Sequence, residues 1–248
     1  MYGGQLLSQA AFAAAHTVES GREMHSMHAH FLLPGDSSSE VEYHVVPLRD
    51  GGSFSSRRVD AVQLDRTIFS AMLSFQRPTD GLRHQLDLPS GVPGPDDPHL
   101  ERIFEPVEGD NLVATDLFEV RMISDGAWPS AVPMQNAGWV RLREDLTGSD
   151  SVQRAALAYL SDSIIQWPVL REHELSWWPE DMATWSLDHA IWWHETPRVS
   201  EWMLFVQETP RGGDGRAMTT SRIYSADGRI LATCAQEMLL RAIRPTSQ

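Results

Sequence analysis

Two stretches of the chain resemble each other and decide the fold: SMHAHFLLPG at residues 26–35 and SLDHAIWWHETP at residues 186–197. Each begins with serine, carries a histidine in its middle and reaches a proline within twelve residues. Two further pairs of segments match in the same order: SEVEYHVVPLRDGGSFSSRRV (39–59) with SEWMLFVQETPRGGDGRAMTT (200–220), and MLSFQ (72–76) with ATCAQ (232–236). Agreement across strand starts, turns and strand ends together indicates an internal repeat.

The register of the repeat is nearly constant. Gln76 corresponds to Gln236, and at the same spacing Ser26 corresponds to Ser186. A slip of one residue occurs at the histidine in the middle of the two quoted stretches. The repeat therefore extends over most of each half of the chain, with one local irregularity.

Each repeat begins with a helix and continues with strands. Residues 3–18 and 149–165 are rich in helix-forming residues and apolar on most faces, which predicts two buried helices. The first helix is followed by predicted strands at 24–33, 39–49, 53–63 and 67–76, and the second by strands at 182–195, 200–209, 215–228 and 229–243. We interpret each unit as a four-stranded antiparallel meander around one central helix, which is a hotdog. Two copies predict an α+β double hotdog with two sheets.

The domain plan follows from the position of the prolines. The segment from Arg77 to about Asn111 contains PSGVPGPDDP and is typical of a linker or a long crossover. We therefore predict an N-terminal hotdog at 1–78, a linker at 79–112 and a C-terminal hotdog at 113–248, the last carrying the candidate catalytic residues described below.

Composition excludes several classes of function. The chain has 248 residues and a formal net charge of −14, which argues against a nucleic-acid partner because phosphate binding needs a basic surface. No apolar run approaches the ~20 residues that a membrane-spanning helix needs, so we expect no membrane partner. A single cysteine forms no internal disulfide, and we therefore predict a cytoplasmic location.

The single cysteine lies in LATCAQE (231–237), a predicted strand that places Cys234 and Gln236 on the same face. A catalytic thiol needs an activating histidine or a helix N-terminus, and neither lies near Cys234 in sequence. We interpret Cys234 as a packing residue, with a catalytic thiol as the alternative. The sequence also contains no G-x-S-x-G elbow, P-loop or dinucleotide fingerprint in a strand-to-helix context.

The histidines could suggest a metal site. His28 and His30 share one face of a predicted strand, whereas His189 and His194 fall on opposite faces of another. No cysteine or carboxylate pair completes a site at a familiar ligand spacing. We therefore interpret these residues as half-buried strand histidines and predict neither a metal nor a cofactor.

Three polar residues occur on elements that are predicted to be buried. Asp162 lies at the C-terminal end of the second helix, where burial and the helix dipole would raise its pKa towards the range of a general base. Ser186 begins a strand, and Gln236 ends the last strand. The three could converge at one helix end, or each could serve in capping and edge hydrogen bonding. Arg57 and Arg58 could lie on a solvated edge or contact phosphate groups.

Eight segments of the chain, in order, resemble the type II acyl-CoA thioesterases (TesB-like family). The first half contributes YGGQLLSQAAFAAA, MHSMHAHFLLPGD, LRDGGSFSSRRVDAVQ and IFSAMLSFQ, and the second half contributes LAYLSDS, SLDHAIWWH, SEWMLF and ILATCAQEMLLR. The resemblance extends from Tyr2 to about Arg241 and is weakest across the linker. It implies hydrolysis of acyl-CoA to a free fatty acid and CoA without a metal or cofactor, and a homo-oligomer formed through the sheets. A non-catalytic acyl-CoA-binding hotdog, a hotdog dehydratase and a purely structural repeat are the alternatives.

The resemblance also assigns the site. Asp162 matches the aspartate of the family's Y-x-S-D motif, Ser186 replaces the commoner threonine of its T-x-D-H motif, and Gln236 matches its Q-E strand ending. It implies that these three residues hold the attacking water. Arg57 and Arg58 are the candidates for CoA phosphates. The family has a leading segment with a first strand, and this chain begins at the Gly-Gly-Gln helix, so we expect the N-terminal hotdog to be without that strand.

Overall fold

The structure, a computed structural model, describes residues 1–103, 117–123, 135–177 and 181–243. Three helices lie in these ranges: α1 (Gly3–Ala15), α2 (Asp150–Ser161) and α3 (Trp167–Glu172). Twelve strands lie in the same ranges: β1 (Glu23–Phe31), β2 (Glu42–Asp50), β3 (Phe54–Gln63), β4 (Arg66–Gln76), β5 (Glu101–Ile103), β6 (Phe118–Met122), β7 (Gln135–Leu142), β8 (Met182–Ser186), β9 (Asp188–Trp193), β10 (Met203–Gly213), β11 (Arg216–Ser225) and β12 (Ile230–Ala242).

The two predicted long helices are present and are shorter than the sequence indicated. In α1 the buried positions recur every third or fourth residue, as from Leu7 to Ala10 and Ala14. The helix therefore buries one face against the core, whereas the sequence predicted that most of its faces would be buried. In α2 the helical turns end at Ser161, and Asp162 is the C-cap. The short helix α3 was not predicted; it has a proline in its first turn, where the missing N–H costs no hydrogen bond.

The order of strands confirms the repeat and corrects the predicted meander. The first unit has the order β2-β3-β4-β1 and the second has β10-β11-β12-β9, so the two units have equivalent topologies. Only the last three strands of each unit form a meander, because the first strand pairs with the fourth and not with the second.

The two expected sheets are joined into one. Strands β1 and β9 pair antiparallel, with Ser26 opposite Trp192 and His30 opposite Asp188. Each unit would otherwise expose the unpaired N–H and C=O groups of its first strand, and the pairing removes both free edges. The double hotdog is therefore confirmed, with one continuous antiparallel sheet in place of two separate sheets.

The described part of the predicted linker packs on the C-terminal unit. Strand β5 lies inside this segment and pairs with β6. Pro93 accepts a hydrogen bond from the Trp139 indole N–H through its carbonyl oxygen (2.9 Å), and Leu88 and Val92 pack against the same cluster as Trp139. Residues 104–112 of the predicted linker lie outside the described residues.

A β-bulge interrupts the strand that contains Ser186 and His189. The predicted strand 182–195 is divided at Leu187 into β8 and β9, and both parts pair with β12. From Ser186 to Ala190 the chain has one residue more than the facing segment from Ala235 to Met238. Bulges of this kind redirect side chains next to functional sites. The extra residue lies between Ser186 and Ala190, and Ser186 and His189 both belong to the site described below.

The two units share a single core. One continuous cluster of buried apolar side chains includes Leu7 of α1, Phe69 of β4, Leu157 of α2 and Phe205 of β10. The helices α1 and α2 run side by side in opposite directions inside the sheet, since the start of α1 contacts the end of α2. The end of α2 is therefore enclosed by both units.

Candidate active site

Asp162 lies at the end of α2 and is buried, with 8% of its surface exposed. Burial raises the pKa of its carboxyl group from the usual value to about 7, although hydrogen bonds to the carboxylate act in the opposite direction. One of these bonds comes from the Gly4 backbone N–H, at 2.8 Å from Asp162 Oδ2. A buried carboxyl group with a pKa near neutrality can accept and release a proton under physiological conditions.

Ser186 and Gln236 meet at this carboxyl group. The Gln236 amide nitrogen donates a hydrogen bond to Ser186 Oγ at 2.9 Å, and Gln236 also contributes a hydrogen bond that lowers the pKa of Asp162. The Ser186 hydroxyl lies 3.5 Å from Asp162 Oδ1. The three residues predicted from the sequence therefore form one connected group, in which the side chains bond to each other rather than capping separate elements.

The start of α1 closes one side of the site. Tyr2 donates its hydroxyl hydrogen bond to the carbonyl oxygen of Tyr159 at 2.9 Å, and Gly4 donates to Asp162. The positive end of the helix dipole at this N-terminus favours the ionised carboxylate. The sequence analysis did not assign a role to Gly4. The signal that could have indicated one is the Gly-Gly pair at the start of the helix, because two residues without a Cβ allow another segment to approach the helix backbone closely.

A second residue that sequence reasoning missed is His189. It was interpreted as a half-buried strand histidine, but its side chain is completely buried. Nδ1 lies 2.6 Å from Gln236 Oε1, and Nε2 lies 2.9 Å from Ser161 Oγ. Burial lowers the pKa of the ring to about 4, so the imidazole is neutral at pH 7. The signal in the sequence was its place three residues after Ser186, as the histidine of the T-x-D-H motif.

Cys234 lies in the apolar core, as the packing interpretation predicted. Burial raises the pKa of its thiol, which is the opposite of what a nucleophile requires. His28 and His30 share one face of β1, as predicted, but they are exposed rather than half-buried. His194 is also exposed and contacts Thr233 Oγ1 at 2.9 Å.

The two arginines of β3 have different environments. Arg57 is 2% exposed, and its guanidinium donates to Thr17, to Asp50 and to backbone carbonyls. The guanidinium N–H groups of Arg57 donate hydrogen bonds to groups within the protein, so Arg57 is not part of the substrate site proposed below. Arg58 is half-exposed and forms an ion pair with Asp60 at 3.0 Å.

An apolar groove lies beside the two central helices. It has a volume of about 510 Å³ and is bordered by α1, β2 and α2. Its apolar lining includes Phe12, Val41 and Ala156, and Tyr43 donates a 2.6 Å hydrogen bond to Gln9 Oε1 at its side. Asp162, Ser186 and Gln236 do not line this groove, which lies further along the same pair of helices.

The described ranges, which are residues 1–103, 117–123, 135–177 and 181–243, hold neither a metal-binding cluster nor a membrane-spanning helix. In these ranges no three His, Cys, Asp or Glu side chains lie close enough to hold a metal ion together. No helix of the same ranges has the length and apolar character needed to cross a membrane.

Comparison with known proteins assigns both halves of the chain to one family. Residues 1–76 match the acyl-CoA thioesterase N-terminal domain, and residues 89–240 match the acyl-CoA thioesterase C-terminal domain. The second match begins inside the segment predicted as a linker, where the structure shows packing on the C-terminal unit.

Individual relatives cover nearly the whole chain. It is 32% identical to acyl-CoA thioesterase 2 of Haemophilus influenzae over 97% of this chain and 87% of that protein. It is 33% identical to acyl-coenzyme A thioesterase 8 of Mus musculus over 97% of this chain and 80% of that protein.

Among solved structures, that of the acyl-CoA thioesterase II TesB2 from Mycobacterium marinum superposes with a TM-score of 0.87 at 33% identity, covering 98% of this chain and 90% of that one. The resemblance inferred from the sequence is thus confirmed in both units and in the fold. The chain belongs to the acyl-CoA thioesterase II (TesB-like) family of hydrolases.

Proposed function

We propose that this protein hydrolyses acyl-CoA to a free fatty acid and CoA through a water molecule held by Asp162, Ser186 and Gln236. The observation that carries the proposal is the buried carboxyl group of Asp162, linked by hydrogen bonds to Ser186 and Gln236 at the end of α2. A carboxylate accepts, a hydroxyl donates and accepts, and an amide does both, so the three groups can fix the orientation of one water.

The proposed reaction needs no covalent intermediate on the protein. Asp162 removes a proton from the water, whose oxygen forms a bond to the thioester carbonyl carbon. The tetrahedral intermediate then collapses, the carbon–sulfur bond breaks, and the CoA sulfur leaves with its electron pair and takes up a proton. Positioning of the water and proton removal each lower the barrier, and general-base help by itself is worth about 10²- to 10⁴-fold.

The pKa of Asp162 gives the reaction its expected pH dependence. Because the folded-state pKa is raised to about 7, the carboxyl group is mostly protonated below pH 7 and mostly ionised above it. Only the ionised form accepts a proton from water. We therefore expect kcat/KM to rise with pH and to level off above about pH 7 to 8.

Two features of the structure support the substrate class. The groove beside α1 and α2 has an apolar lining and a volume of about 510 Å³, which suits an acyl chain. Arg58 is the proposed contact for CoA phosphates, since its guanidinium is half-exposed in a protein whose net charge is −14. Acyl-CoA is thus the proposed partner, while self-association and the cytoplasmic location stay predictions.

The experiment measures release of free CoA from short-chain and long-chain acyl-CoA by the wild-type protein and by Asp162→Asn and Gln236→Ala. We expect turnover by the wild type and a loss of about 10²-fold or more in kcat for Asp162→Asn. Near wild-type rates in both variants would exclude the proposed water site. Saturable binding of acyl-CoA by the wild type without any release of CoA would instead support a non-catalytic acyl-CoA-binding protein.

A further inference from the structure

We propose that His189 is a positioning residue for the hydrolysis, because its Nδ1–H holds the Gln236 amide with the NH₂ group facing Ser186 and Asp162. This inference rests on the proposed function and assigns a role to a side chain that does not touch the water. The orientation of a histidine ring or of an amide is decided by its hydrogen-bond partners, which here extend outward from the carboxylate of Asp162.

The first step concerns the amide of Gln236. Its nitrogen lies 2.9 Å from Ser186 Oγ and bonds to Asp162, while its oxygen lies 2.6 Å from His189 Nδ1. A rotation of the amide by 180° would place Oε1 against the Asp162 carboxylate, and two acceptors would face each other in a buried site. Buried polar atoms without a partner cost about 1–3 kcal/mol, so the orientation of this amide matters for the site.

The second step concerns the ring of His189. Gln236 Oε1 is only an acceptor, so the facing Nδ1 must carry the hydrogen. The ring is neutral at pH 7 because burial lowers its pKa to about 4, and a neutral imidazole has a single N–H. Nε2 is then an acceptor and faces Ser161 Oγ at 2.9 Å, where the single hydroxyl hydrogen of Ser161 is shared between Nε2 and the carbonyl oxygen of Ala158, also at 2.9 Å.

The third step concerns the rigidity of this arrangement. The ring is completely buried, and His189 lies on β9 in the bulged segment between Ser186 and Ala190. Ser161 is the last residue of α2 and precedes Asp162. The hydrogen bonds from Ser161 through His189 to Gln236 therefore connect the end of α2, which carries Asp162, to β12, which carries the Gln236 amide.

The inference predicts that the side chain at position 189 must donate a hydrogen bond to Gln236 Oε1 from the position that Nδ1 occupies. In His189→Asn the amide nitrogen can occupy nearly the place of Nδ1 and donate to Gln236 Oε1. In His189→Gln the longer side chain reaches towards Ser161 and leaves Oε1 without that donor. The two variants have the same side-chain polarity. A difference between their activities therefore reports the hydrogen bond to Gln236 Oε1 and not a general loss of packing at position 189.

The kinetic test measures kcat, KM and the pH profile of CoA release for both variants, with thermal unfolding as the control for folding. We expect His189→Asn to retain kcat within about threefold, and His189→Gln to lose about tenfold or more in kcat with little change in KM. In His189→Gln the acidic limb of the profile should also move to higher pH, because Asp162 loses an oriented donor that lowers its pKa.

A second measurement does not depend on either variant being stable. In wild-type protein labelled with ¹⁵N-histidine, the ring of His189 should be neutral and protonated at Nδ1 at pH 7, with the resonance assigned by its loss in His189→Gln or by contacts to Gln236. A ring protonated at Nε2 would overturn the inference, and so would equal kcat values for the Asn and Gln variants in an active enzyme. A wild-type protein that releases no CoA would instead overturn the proposed function.

Discussion

The backbone N–H of Gly4 donates a 2.8 Å hydrogen bond to Asp162 Oδ2, although 158 residues separate them. This bond ties the start of α1 in the first unit to the end of α2 in the second. The approach is possible only without side chains: a Cβ on Gly3 would lie 2.8 Å from Asp162 Oδ2, and one on Gly4 would collide with the carbonyl oxygen of Tyr159. The first unit thus contributes to a site whose three candidate side chains all belong to the second.

Gly4→Ala is expected to lower both stability and activity. The added Cβ meets the backbone oxygen of Tyr159, which cannot move aside as a flexible side chain would. We expect a destabilisation of about 1–3 kcal/mol, measured by thermal unfolding, and a loss of about tenfold or more in kcat because the helix start is displaced from Asp162. Gly52→Ala is the matched control, since a Cβ there meets no atom within 4 Å; equal effects of the two variants would contradict this prediction.

Asp162→Asn is expected to stabilise the protein at pH 8 while it removes activity. Burial raises the folded-state pKa of this carboxyl to about 7, whereas an unfolded aspartate has a pKa near 3.9, so the folded state binds the proton more tightly. Stability is therefore lost as the pH rises through this window, by at most roughly 4 kcal/mol. An asparagine has no charge to bury and still accepts the hydrogen bond from Gly4.

The measurement is the difference in the free energy of unfolding between Asp162→Asn and wild type at pH 8 and at pH 4. The difference should be large at pH 8 and small at pH 4, where the carboxyl is protonated in the folded state and about half protonated in the unfolded state. Asp145→Asn serves as the control, because this side chain is exposed and its removal should have little effect at either pH. A stabilisation that does not depend on pH would contradict the raised pKa.

Cys234→Ala is expected to leave kcat within about twofold of the wild type and to destabilise the protein by about 1 kcal/mol. The thiol is completely buried in the core, and burial raises its pKa, so it supplies packing rather than a thiolate. The measurement combines CoA release with thermal unfolding. A loss of activity in a variant that stays folded would restore the alternative of a catalytic thiol.

Arg58→Ala is expected to raise KM for acyl-CoA about fivefold with little change in kcat, because a charge-assisted contact to a phosphate binds substrate and transition state alike. The effect should shrink at high salt, since screening weakens contacts between exposed charges. Arg66→Ala is the matched control on the neighbouring strand, where the side chain is also exposed. The same change in KM for both variants would indicate a general charge effect and not a phosphate contact of Arg58.

Ala156→Phe is expected to alter the preference for acyl-chain length. Ala156 lines the apolar groove between α1, β2 and α2, and a phenyl ring would fill part of its volume of about 510 Å³. We expect kcat/KM to fall about tenfold for a long-chain acyl-CoA and to change little for a short-chain one, which serves as the internal control. An equal loss for both substrates, or no loss, would place the acyl chain elsewhere.

Much of the site was visible in the sequence because the relevant signals are local. Asp162 follows an amphipathic helix, and Ser186 and Gln236 belong to predicted strands, so the element carrying each residue could be inferred from periodicity. Their positions within the strands were predicted wrongly, because Ser186 is the last residue of β8 rather than the first of a strand, and Gln236 lies in the middle of β12 rather than at its end. The same alternation placed Cys234 and Gln236 on one face, and both are buried. Strand periodicity does not, however, specify which strands become neighbours.

The contacts that complete the site depend on such neighbours. The pairing of β1 with β4 and with β9 joins segments far apart in sequence, and it brings the start of α1 to the end of α2. His189 is buried at a bulge between Ser186 and Ala190, which strand periodicity does not predict. The burial of Arg57 depends on Thr17 and Asp50, which lie on two other segments.

The sequence by itself determined the repeat, the two helices, most strands and the three residues that meet at the end of α2, because side-chain periodicity and motif order are properties of the chain. Only the tertiary structure decided the single continuous sheet, the hydrogen bond from Gly4 to Asp162 and the buried place of His189 beside Gln236. The physical reason is that burial, and with it the pKa of Asp162, arises from groups that the fold brings together from both units.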